Sequence, residues 1–480
     1  MKLMSDSFKY KKLLKIFFPL FLLFLLFIFQ GCNLPTIFSG PPKYILFISV
    51  DTLRANHLSC YGYNKETSPT IDKIAKEGTL FENVVCQRGI TLPSLASVMT
   101  SKYINQHRLR DHIYDNTLKD DKTTLAEYLS RDGYSTRAFS ASLLVNPLTG
   151  IHQGFKDVTV EIDERKLTNM ALNWLKNFTS NKPNEKFFLW LHYMDPHEPY
   201  TARKPYIDKF ETSYKGSYGN EISFDVTEKM FLEKRNLSKE DLDHIIALYD
   251  SQIPRVDDFI REIVEELKRL GIYDKTLLVF FADHGEELYE HNFYIEHHRS
   301  VYESVLRIPL VMRYPGKIPA NKRVKNVVES IDITPTVLEF CKIYPSEKLS
   351  GVSLKPLWEG KKLKKDFGVS EWWNLIFTLR TQDWVYIWNP TGFWPTDSRY
   401  SGGEYPVAKE ELYNIKLDPK QKNNLVRKNR EVADILKIKV MNWMTSTLDK
   451  KQWVKEFKIE QKPKLNKKME EALRSLGYIK

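Results

Sequence analysis

Residues 44–51 read YILFISVD, a continuous apolar run that ends on an aspartate. Such a run, rich in β-branched and aromatic residues, is typical of a parallel strand that is buried on both faces of its sheet. Residues 186–192 (KFFLWLH) and residues 276–283 (TLLVFFAD) have the same form. Segments with helical signals lie between these runs, so the sequence predicts an α/β fold with a central, mostly parallel sheet and helices on both faces.

Other elements follow from local pattern. Helices are expected at residues 68–78, 124–132 and 241–270, and further strands at residues 135–140 and 307–312. From about residue 366 the pattern changes to short runs rich in Tyr, Trp and Gly, which predict antiparallel strands, and a helix is expected over 432–447. We therefore expect a catalytic domain over 44–365 and a smaller C-terminal α+β subdomain with a basic tail over 366–480.

The chain has 480 residues and a formal net charge of +11, which at first suggests a polyanionic partner. The charge lies mainly at the two ends: residues 1–31 carry +4 and residues 449–480 carry +5, which leaves +2 for the body. Because the body is nearly neutral and has no nucleic-acid recognition motif, we expect no nucleic-acid partner. Four cysteines are too few for a disulfide scaffold.

The N-terminus has the features of an export signal. A basic segment precedes an apolar run of about fourteen residues, and Gly31-Cys32 follows. We expect residues 1–31 to be a cleaved signal peptide, Cys32 to be lipidated, and residues 32–43 to be a linker, which gives a periplasmic or cell-surface lipoprotein anchored to a bacterial membrane. The alternative is an uncleaved membrane anchor with an ordinary Cys32. Of the remaining thiols, Cys60, Cys86 and Cys341, at most one pair can form a disulfide within the chain, and the pattern does not indicate which.

Polar side chains follow three of the predicted strands. Asp51 ends the first, His192 and the nearby Asp195 and His197 end the second, and Asp283-His284 ends the third. Ligands of open α/β sheets bind at this edge, so we expect these groups to converge on one metal ion. The alternative for each aspartate is a cap on the helix that follows it.

A hydroxyl residue also occurs at a predicted helix start, in the segment GITLPSLASVMTSKY over residues 89–103. Thr91 there would place its oxygen at a helix N-terminus, which favours anions. A bound metal would lower the pKa of that hydroxyl and make it a nucleophile. The alternative is a plain N-cap, in which Thr91 or Ser94 begins a helix over 94–100.

The stretch SVDTLRANHLSCYGYNKETSPTIDKIAKEGTLFENV, residues 49–84, is similar to the opening of the sulfatase family within the alkaline phosphatase superfamily. The likeness continues through TLPSLASVMTSKY (91–103), WLHYMDPHEPY (190–200), FFADHGEEL (280–288) and HHRSVYESVLRIPLVMRYPG (297–316). Its order and spacing hold from about residue 44 to about residue 428. The resemblance implies an alkaline-phosphatase-like fold and an ester hydrolase that acts on an anionic substrate.

The resemblance also implies roles for matching positions. Metal ligands would be Asp51, Asp283 and His284, with Thr91 at the nucleophile position also touching the metal. His197 would contact the anionic group or the leaving oxygen, and His297 matches a position that aids the departing alcohol. His192 would support the metal site and Arg54 the nucleophile region, whereas for His291 and His298 a packing or surface role is at least as well supported. One divalent ion is expected, Mn, Zn, Ca or Mg; for a second, the nearby candidates are Asp195, His197 and His297.

Five positions depart from the sulfatase pattern. Thr91 stands where Cys or Ser is converted to formylglycine, Leu95 replaces an Arg, Phe139 stands near the place of a Lys, and Thr52 replaces a second Asp. His284 replaces an Asn, and an imidazole ligand favours manganese or zinc over calcium.

These departures resemble the branches of the superfamily that use a threonine. We therefore expect a membrane-tethered, metal-dependent hydrolase that cleaves phosphate or phosphonate esters in preference to sulfate esters. The alternatives are a true sulfatase that works without formylglycine, a phospholipid head-group transferase, and an inactive binding lipoprotein. The natural substrate and the oligomeric state are not predicted.

Overall fold

A computed structural model describes residues 40–111, 117–211, 213–291, 294–373, 375–390 and 408–447. The predicted signal peptide, Cys32 and the basic tail that begins at residue 449 lie outside these residues, so the predictions made for them stay predictions. The proposed domain boundary at residues 365 and 366 also stays a prediction.

The strands lie at intervals along the whole described chain. They are β1 Tyr44–Val50, β2 Thr79–Val85, β3 Tyr134–Ser140, β4 Asp157–Val160, β5 Lys186–Tyr193, β6 Tyr200–Thr201, β7 Glu221–Ile222, β8 Thr276–Ala282, β9 Glu287–Leu288, β10 Ile295–Glu296, β11 Arg307–Arg313, β12 Lys322–Glu329, β13 Gly368–Trp372, β14 Ile376–Arg380, β15 Trp384–Trp388 and β16 Glu410–Asn414.

Helices alternate with these strands, as predicted. They are α1 Pro69–Glu77, α2 Thr91–Thr100, α3 Ile104–His107, α4 Leu125–Arg131, α5 Glu164–Asn181, α6 Phe224–Leu232, α7 Lys239–Arg269, α8 Glu303–Leu306, α9 Ile333–Cys341, α10 Lys355–Trp358 and α11 Arg430–Thr447. Within the part of the chain that the structure describes, no helix is long and apolar enough to cross a membrane.

The central sheet has eight strands in the order β12-β2-β11-β8-β1-β5-β3-β4. Strand β1 is parallel to both of its neighbours, β5 and β8, and all seven of its residues are buried. Strand β11 is antiparallel to β2 and β8, so the sheet is mixed but mostly parallel. The predicted α/β fold class is therefore confirmed.

The register of the central strands brings their carboxyl ends level. Val50 at the end of β1 pairs with Ala282 at the end of β8 and with Tyr193 at the end of β5. The residues that follow β1 and β8 are Asp51 and Asp283, so the two carboxylates emerge side by side at one edge of the sheet.

A second, four-stranded antiparallel sheet has the order β13-β14-β15-β16. Helix α11 packs on it through a separate apolar cluster that includes Phe377, Leu436, Val440 and Trp443. The short antiparallel strands and the helix predicted for this region are confirmed. The backbone N–H of Glu371 in β13 also donates to the carbonyl of Gln87 at 3.0 Å, which ties this sheet to the segment that leads to Thr91.

Candidate active site

Three potential metal ligands converge at the carboxyl edge of the central sheet. One ligand atom each from Asp51, Asp283 and His284 can be chosen so that all lie within 4.8 Å of one another, and all three side chains are buried. His284 Nε2 lies 3.5 Å from Asp51 Oδ1 and 3.6 Å from Asp283 Oδ2. Neither of those two carboxylate oxygens has a hydrogen-bond partner among the described residues. Two oxygens and one nitrogen facing a common point make a donor set that fits a divalent cation.

The protonation of His284 suits a ligand. Its Nδ1 donates to the carbonyl of Gly285 at 2.9 Å, so Nε2 carries the lone pair and faces the two aspartates. Burial lowers the pKa of His284, which favours the neutral ring that a metal requires.

The two aspartates are in opposite electrostatic situations. Burial alone would raise the pKa of Asp51, but the adjacent imidazole of His192, together with those of His197 and His284, outweighs burial and lowers that pKa to about 2. Burial and the negative charge of Asp51 raise the pKa of Asp283 well above its usual range. Two carboxylates held this close in a buried site need a compensating cation for both to be ionised.

Thr91 lies beside this cluster as the first residue of α2. Its Oγ1 is 3.3 Å from Asp51 Oδ2 and 3.3 Å from His284 Nε2. The predicted helix start at residue 94 is wrong, because α2 already begins at Thr91. Ser94 lies inside the helix, and its hydroxyl donates to the carbonyl of Asp283 at 2.6 Å instead of capping. Thr91 therefore stands at the N-terminus of α2 with its hydroxyl directed at the candidate metal ligands.

His197 follows β5 and is positioned to accept a proton. Its Nδ1 donates to the carbonyl of Glu198 at 2.7 Å, so Nε2 carries the lone pair. Burial lowers the pKa of His197, which favours the neutral, basic ring. The centroid of its ring lies 5.3 Å from that of His297, which places the two imidazoles in the same part of the site.

His297 is brought to the site by the segment that follows β10. Its ring centroid lies 4.4 Å from that of His284, and its Nδ1 forms a hydrogen bond with Glu286 Oε1 at 3.1 Å. Sequence reasoning missed Glu286. The sequence did hold one signal for it: Glu286 lies two residues after His284, close enough along the chain to contact the site or a neighbouring side chain.

His192 contacts Asp51 from behind, through a chain of polar groups. Trp190 Nε1 donates to Ser49 Oγ at 2.9 Å, and Ser49 Oγ lies 2.9 Å from His192 Nδ1. The indole can only donate, so the Ser49 hydroxyl accepts from it, and His192 Nε2 lies 3.7 Å from Asp51 Oδ2. His192 therefore lies beside Asp51 but outside the group of Asp51, Asp283 and His284 that can hold a metal. Ser49 and Trp190 were also missed, although both lie on strands whose ends were identified.

Arg54 supports the loop that follows β8. Its Nη1 donates to the carbonyl of Glu286 at 3.0 Å, and its Nη2 pairs with Glu290 Oε1 at 2.7 Å. Burial disfavours the charged guanidinium, but the carboxylate of Glu290 outweighs that effect and raises the pKa of Arg54. The Arg54 guanidinium therefore contacts the segment that carries His284 and Glu286, and its Nε donates to Asn56 Oδ1 at 3.1 Å.

Asp195 does not join the site. Its carboxylate forms ion pairs with Arg255 and, at 2.8 Å, with Arg203. The interpretation of Asp195 as a ligand for a second metal is wrong, because these two guanidinium groups already neutralise it. Within the described ranges, Asp51, Asp283 and His284 form the one group of three such residues close enough to hold a metal.

The two histidines for which a packing role was considered form carboxylate pairs of their own. His291 Nδ1 lies 2.6 Å from Glu287 Oε1, and His298 Nδ1 lies 2.5 Å from Glu296 Oε1. The rings of His298 and His297 are stacked, with centroids 4.1 Å apart, so His298 packs against the site.

All five residues that depart from the sulfatase pattern are buried. Leu95 and Phe139 belong to the apolar core of the central sheet. Thr52 adopts a left-handed backbone conformation with φ of 52°, and its carbonyl accepts a hydrogen bond from Tyr249 at 2.8 Å.

The three described cysteines, Cys60, Cys86 and Cys341, are free thiols.

A sequence model of a family described as Sulfatase matches residues 43–343, and one described as N-sulphoglucosamine sulphohydrolase, C-terminal, matches residues 289–446. N-acetylglucosamine-6-O-sulfatase of Bacteroides thetaiotaomicron is 22% identical, over 85% of this chain and 88% of that protein. Arylsulfatase K of Canis lupus familiaris is 25% identical, over 92% and 90%. The crystal structure of phosphonate monoester hydrolase of Agrobacterium radiobacter superposes with a TM-score of 0.67 at 19% identity, over 85% of this chain and 96% of that chain.

The ligand set predicts a specific pattern of metal loss. Asp283→Asn should lose bound metal, because an amide cannot supply the anionic oxygen that faces Asp51 and His284. The measurement is metal content by inductively coupled plasma mass spectrometry after exhaustive dialysis.

The matched control is Asp257→Asn. Asp257 is also a buried aspartate, but it accepts the backbone N–H groups of Thr70 and Ile71 at 2.8 and 2.9 Å. It should keep the metal content of the wild type. Equal metal content in the two variants would contradict the assignment of Asp283 as a ligand.

Proposed function

Because the chain belongs to the sulfatase family of ester hydrolases, we propose that it cleaves phosphate or phosphonate esters with Thr91 as the nucleophile and one divalent metal ion as cofactor. The observation that carries this proposal is the position of Thr91 Oγ1, which lies 3.3 Å from both Asp51 Oδ2 and His284 Nε2. A hydroxyl this close to two candidate metal-ligand atoms would also lie beside a bound cation, which would favour loss of its proton.

The identity of residue 91 favours phosphorus esters. Formylglycine is an aldehyde made from Cys or Ser, and the extra methyl group of Thr91 rules out that product. A threonine ester must instead be opened by attack of water, a route that suits phosphoryl transfer. The apolar Leu95 and Phe139, buried in the core, supply no cation where sulfatases resembling this chain place an Arg and a Lys.

The proposed metal would be held by Asp51, Asp283 and His284, with the Thr91 oxygen as a further neighbour. When bound, such a cation lowers the pKa of the hydroxyl and offsets the negative charge of the ester group. Manganese or zinc suits the imidazole nitrogen of His284 better than calcium or magnesium does.

The reaction follows from the positions of the side chains. Thr91 loses its hydroxyl proton to solvent, and its Oγ1 attacks phosphorus while the bond to the leaving oxygen breaks. His297 gives a proton to that oxygen, and the alcohol departs. His197 then takes a proton from water, the water oxygen bonds to phosphorus, and the bond between phosphorus and Thr91 Oγ1 breaks. Phosphate or phosphonate is released, Thr91 Oγ1 regains a proton from solvent, His197 gives its proton to solvent, and His297 takes one up, so that each group returns to its initial state.

Sulfate ester hydrolysis is the second candidate. The relatives in sequence include an N-acetylglucosamine-6-O-sulfatase and an arylsulfatase, which favours a sulfate ester substrate. In this case Thr91 would act unmodified, and the same residues would hold the metal and transfer the protons.

We also propose that the enzyme is exported and tethered to a bacterial membrane through Cys32. The basic and apolar segments of residues 1–31, followed by Gly31-Cys32, support this proposal.

Cys32→Ser should then shift the protein from the membrane to the soluble fraction of a bacterial host, unless residues 1–31 remain as an uncleaved anchor. An unchanged membrane fraction together with an unchanged N-terminal mass would contradict the lipid tether.

An ester panel tests the function. The full chain is assayed with p-nitrophenyl phosphate, bis(p-nitrophenyl) phosphate, p-nitrophenyl phenylphosphonate and p-nitrophenyl sulfate, with Mn, Zn, Ca and Mg in turn. We expect the phosphorus esters to give the higher kcat/KM. Preferred turnover of the sulfate would favour the second candidate, and no turnover with any combination would contradict both in favour of a binding protein.

Variants of helix α2 make the panel specific. Thr91→Ala should lower kcat by about 10⁴-fold or more, because the nucleophilic oxygen is gone. The control is Thr100→Ala, which removes a buried threonine of the same helix whose hydroxyl donates to the carbonyl of Ala96 at 2.7 Å. Comparable activity of the two variants would contradict the role of Thr91.

A further inference from the structure

One buried carboxylate beside the site has no role in the reaction as described above. Glu286 and His297 are both fully inaccessible to solvent, and Glu286 Oε1 lies 3.1 Å from His297 Nδ1. We propose that Glu286 is the positioning residue of His297 and turns the Nε2 edge of that ring toward the leaving oxygen. This inference rests on the proposed function, in which His297 protonates the leaving group.

The geometry of imidazole explains why one hydrogen bond is enough. Nδ1 and Nε2 lie on different edges of the ring, so a partner fixed at Nδ1 directs Nε2 away from itself. The direction holds whichever of the two groups carries the shared proton. Packing restrains the ring further, because its centroid lies 4.4 Å from that of His284, whose ring is tilted, and 4.1 Å from that of His298, on which it stacks.

Glu286 is itself fixed in place. Its carbonyl accepts a hydrogen bond from Arg54 Nη1 at 3.0 Å, and the N–H of the preceding Gly285 donates to the carbonyl of Val305 at 2.7 Å. The backbone at residue 285 lies so close to the next segment that an added Cβ would meet the carbonyl oxygen of Ser304 at 2.2 Å. The carboxylate is therefore presented from a loop with little freedom to move.

The neighbouring residue offers a matched control. Glu287 is also fully buried and binds a histidine Nδ1, that of His291, at 2.6 Å. Its second oxygen accepts a hydrogen bond from Ser300 at 2.8 Å. The ring of His291 stacks on Tyr302 at 3.7 Å, so this pair holds the fold beside the site. Glu286 and Glu287 thus form similar carboxylate–imidazole pairs, but only the pair of Glu286 and His297 takes part in proton transfer.

The experiment varies the leaving group. We would measure kcat/KM of the full-length, metal-loaded enzyme with p-nitrophenyl, phenyl and alkyl esters of the acid that the wild type hydrolyses best. Alkyl leaving groups need the proton from His297, whereas p-nitrophenolate leaves without it. Glu286→Ala should lose about 10²-fold on the alkyl ester and less than about tenfold on the p-nitrophenyl ester. The loss of kcat/KM in Glu286→Gln should lie between zero and the loss in Glu286→Ala, because the amide oxygen can still accept from Nδ1. The glutamine variant also replaces the alanine variant in the test if the latter does not fold.

A double-mutant cycle completes the test. If Glu286 acts through His297, the variant Glu286→Ala/His297→Ala should be no slower on the alkyl ester than His297→Ala alone. Glu287→Gln should keep the wild-type dependence on the leaving group. Equal losses on all esters, additive losses in the cycle, or loss of bound metal in Glu286→Gln would overturn the inference. Failure of the wild type to hydrolyse any ester would instead overturn the proposed function.

Discussion

The electrostatic repulsion between two buried carboxylates, Asp51 and Asp283, is the interaction on which the rest of the site depends. Parallel pairing of β1 with β8 brings them side by side, and the fold around them leaves one oxygen of each without a hydrogen-bond partner among the described residues. Such an arrangement is unfavourable unless a cation enters it. His284 and Thr91 lie against the same two carboxylates, so a cation that offset the repulsion between Asp51 and Asp283 would also lie beside the nucleophile.

The surrounding histidines differ in function because their Nδ1 atoms have different partners. His284 and His197 donate Nδ1–H to backbone carbonyls, which leaves a lone pair on Nε2 for a metal or for a proton. His192 Nδ1 shares a hydrogen bond with the hydroxyl of Ser49, and its Nε2 faces Asp51. His297 binds a carboxylate instead. One residue type thus supplies a ligand, a base and a proton donor, and the groups that surround each ring distinguish these roles.

The sequence was sufficient to predict the central strands and the convergence at their ends, because fully buried parallel strands leave long apolar runs that stop at polar residues. It was not sufficient for β2 and β12, which contain charged or polar residues; β12 forms an edge of the sheet. Nor did it reveal the partners of Asp195, since Arg255 lies 60 residues away on α7, or the pairing of Glu286 with His297 across a loop. The spacing of apolar residues predicts which face of a helix or strand is buried. These ion pairs instead join separate segments of the chain, and their contacts depend on the three-dimensional fold.

The central claim is that Thr91 carries the transferred group while a divalent metal is bound at Asp51, Asp283 and His284. Peptide mass spectrometry of acid-quenched turnover mixtures tests it most directly, with the metal-loaded His197→Ala enzyme and a p-nitrophenyl phosphate or phosphonate substrate. Since His197 is needed only to release the group, we predict a stoichiometric phosphoryl or phosphonyl adduct on Thr91. Removal of the metal should abolish the adduct. An adduct on another residue, or none despite a burst of nitrophenol, would contradict the account.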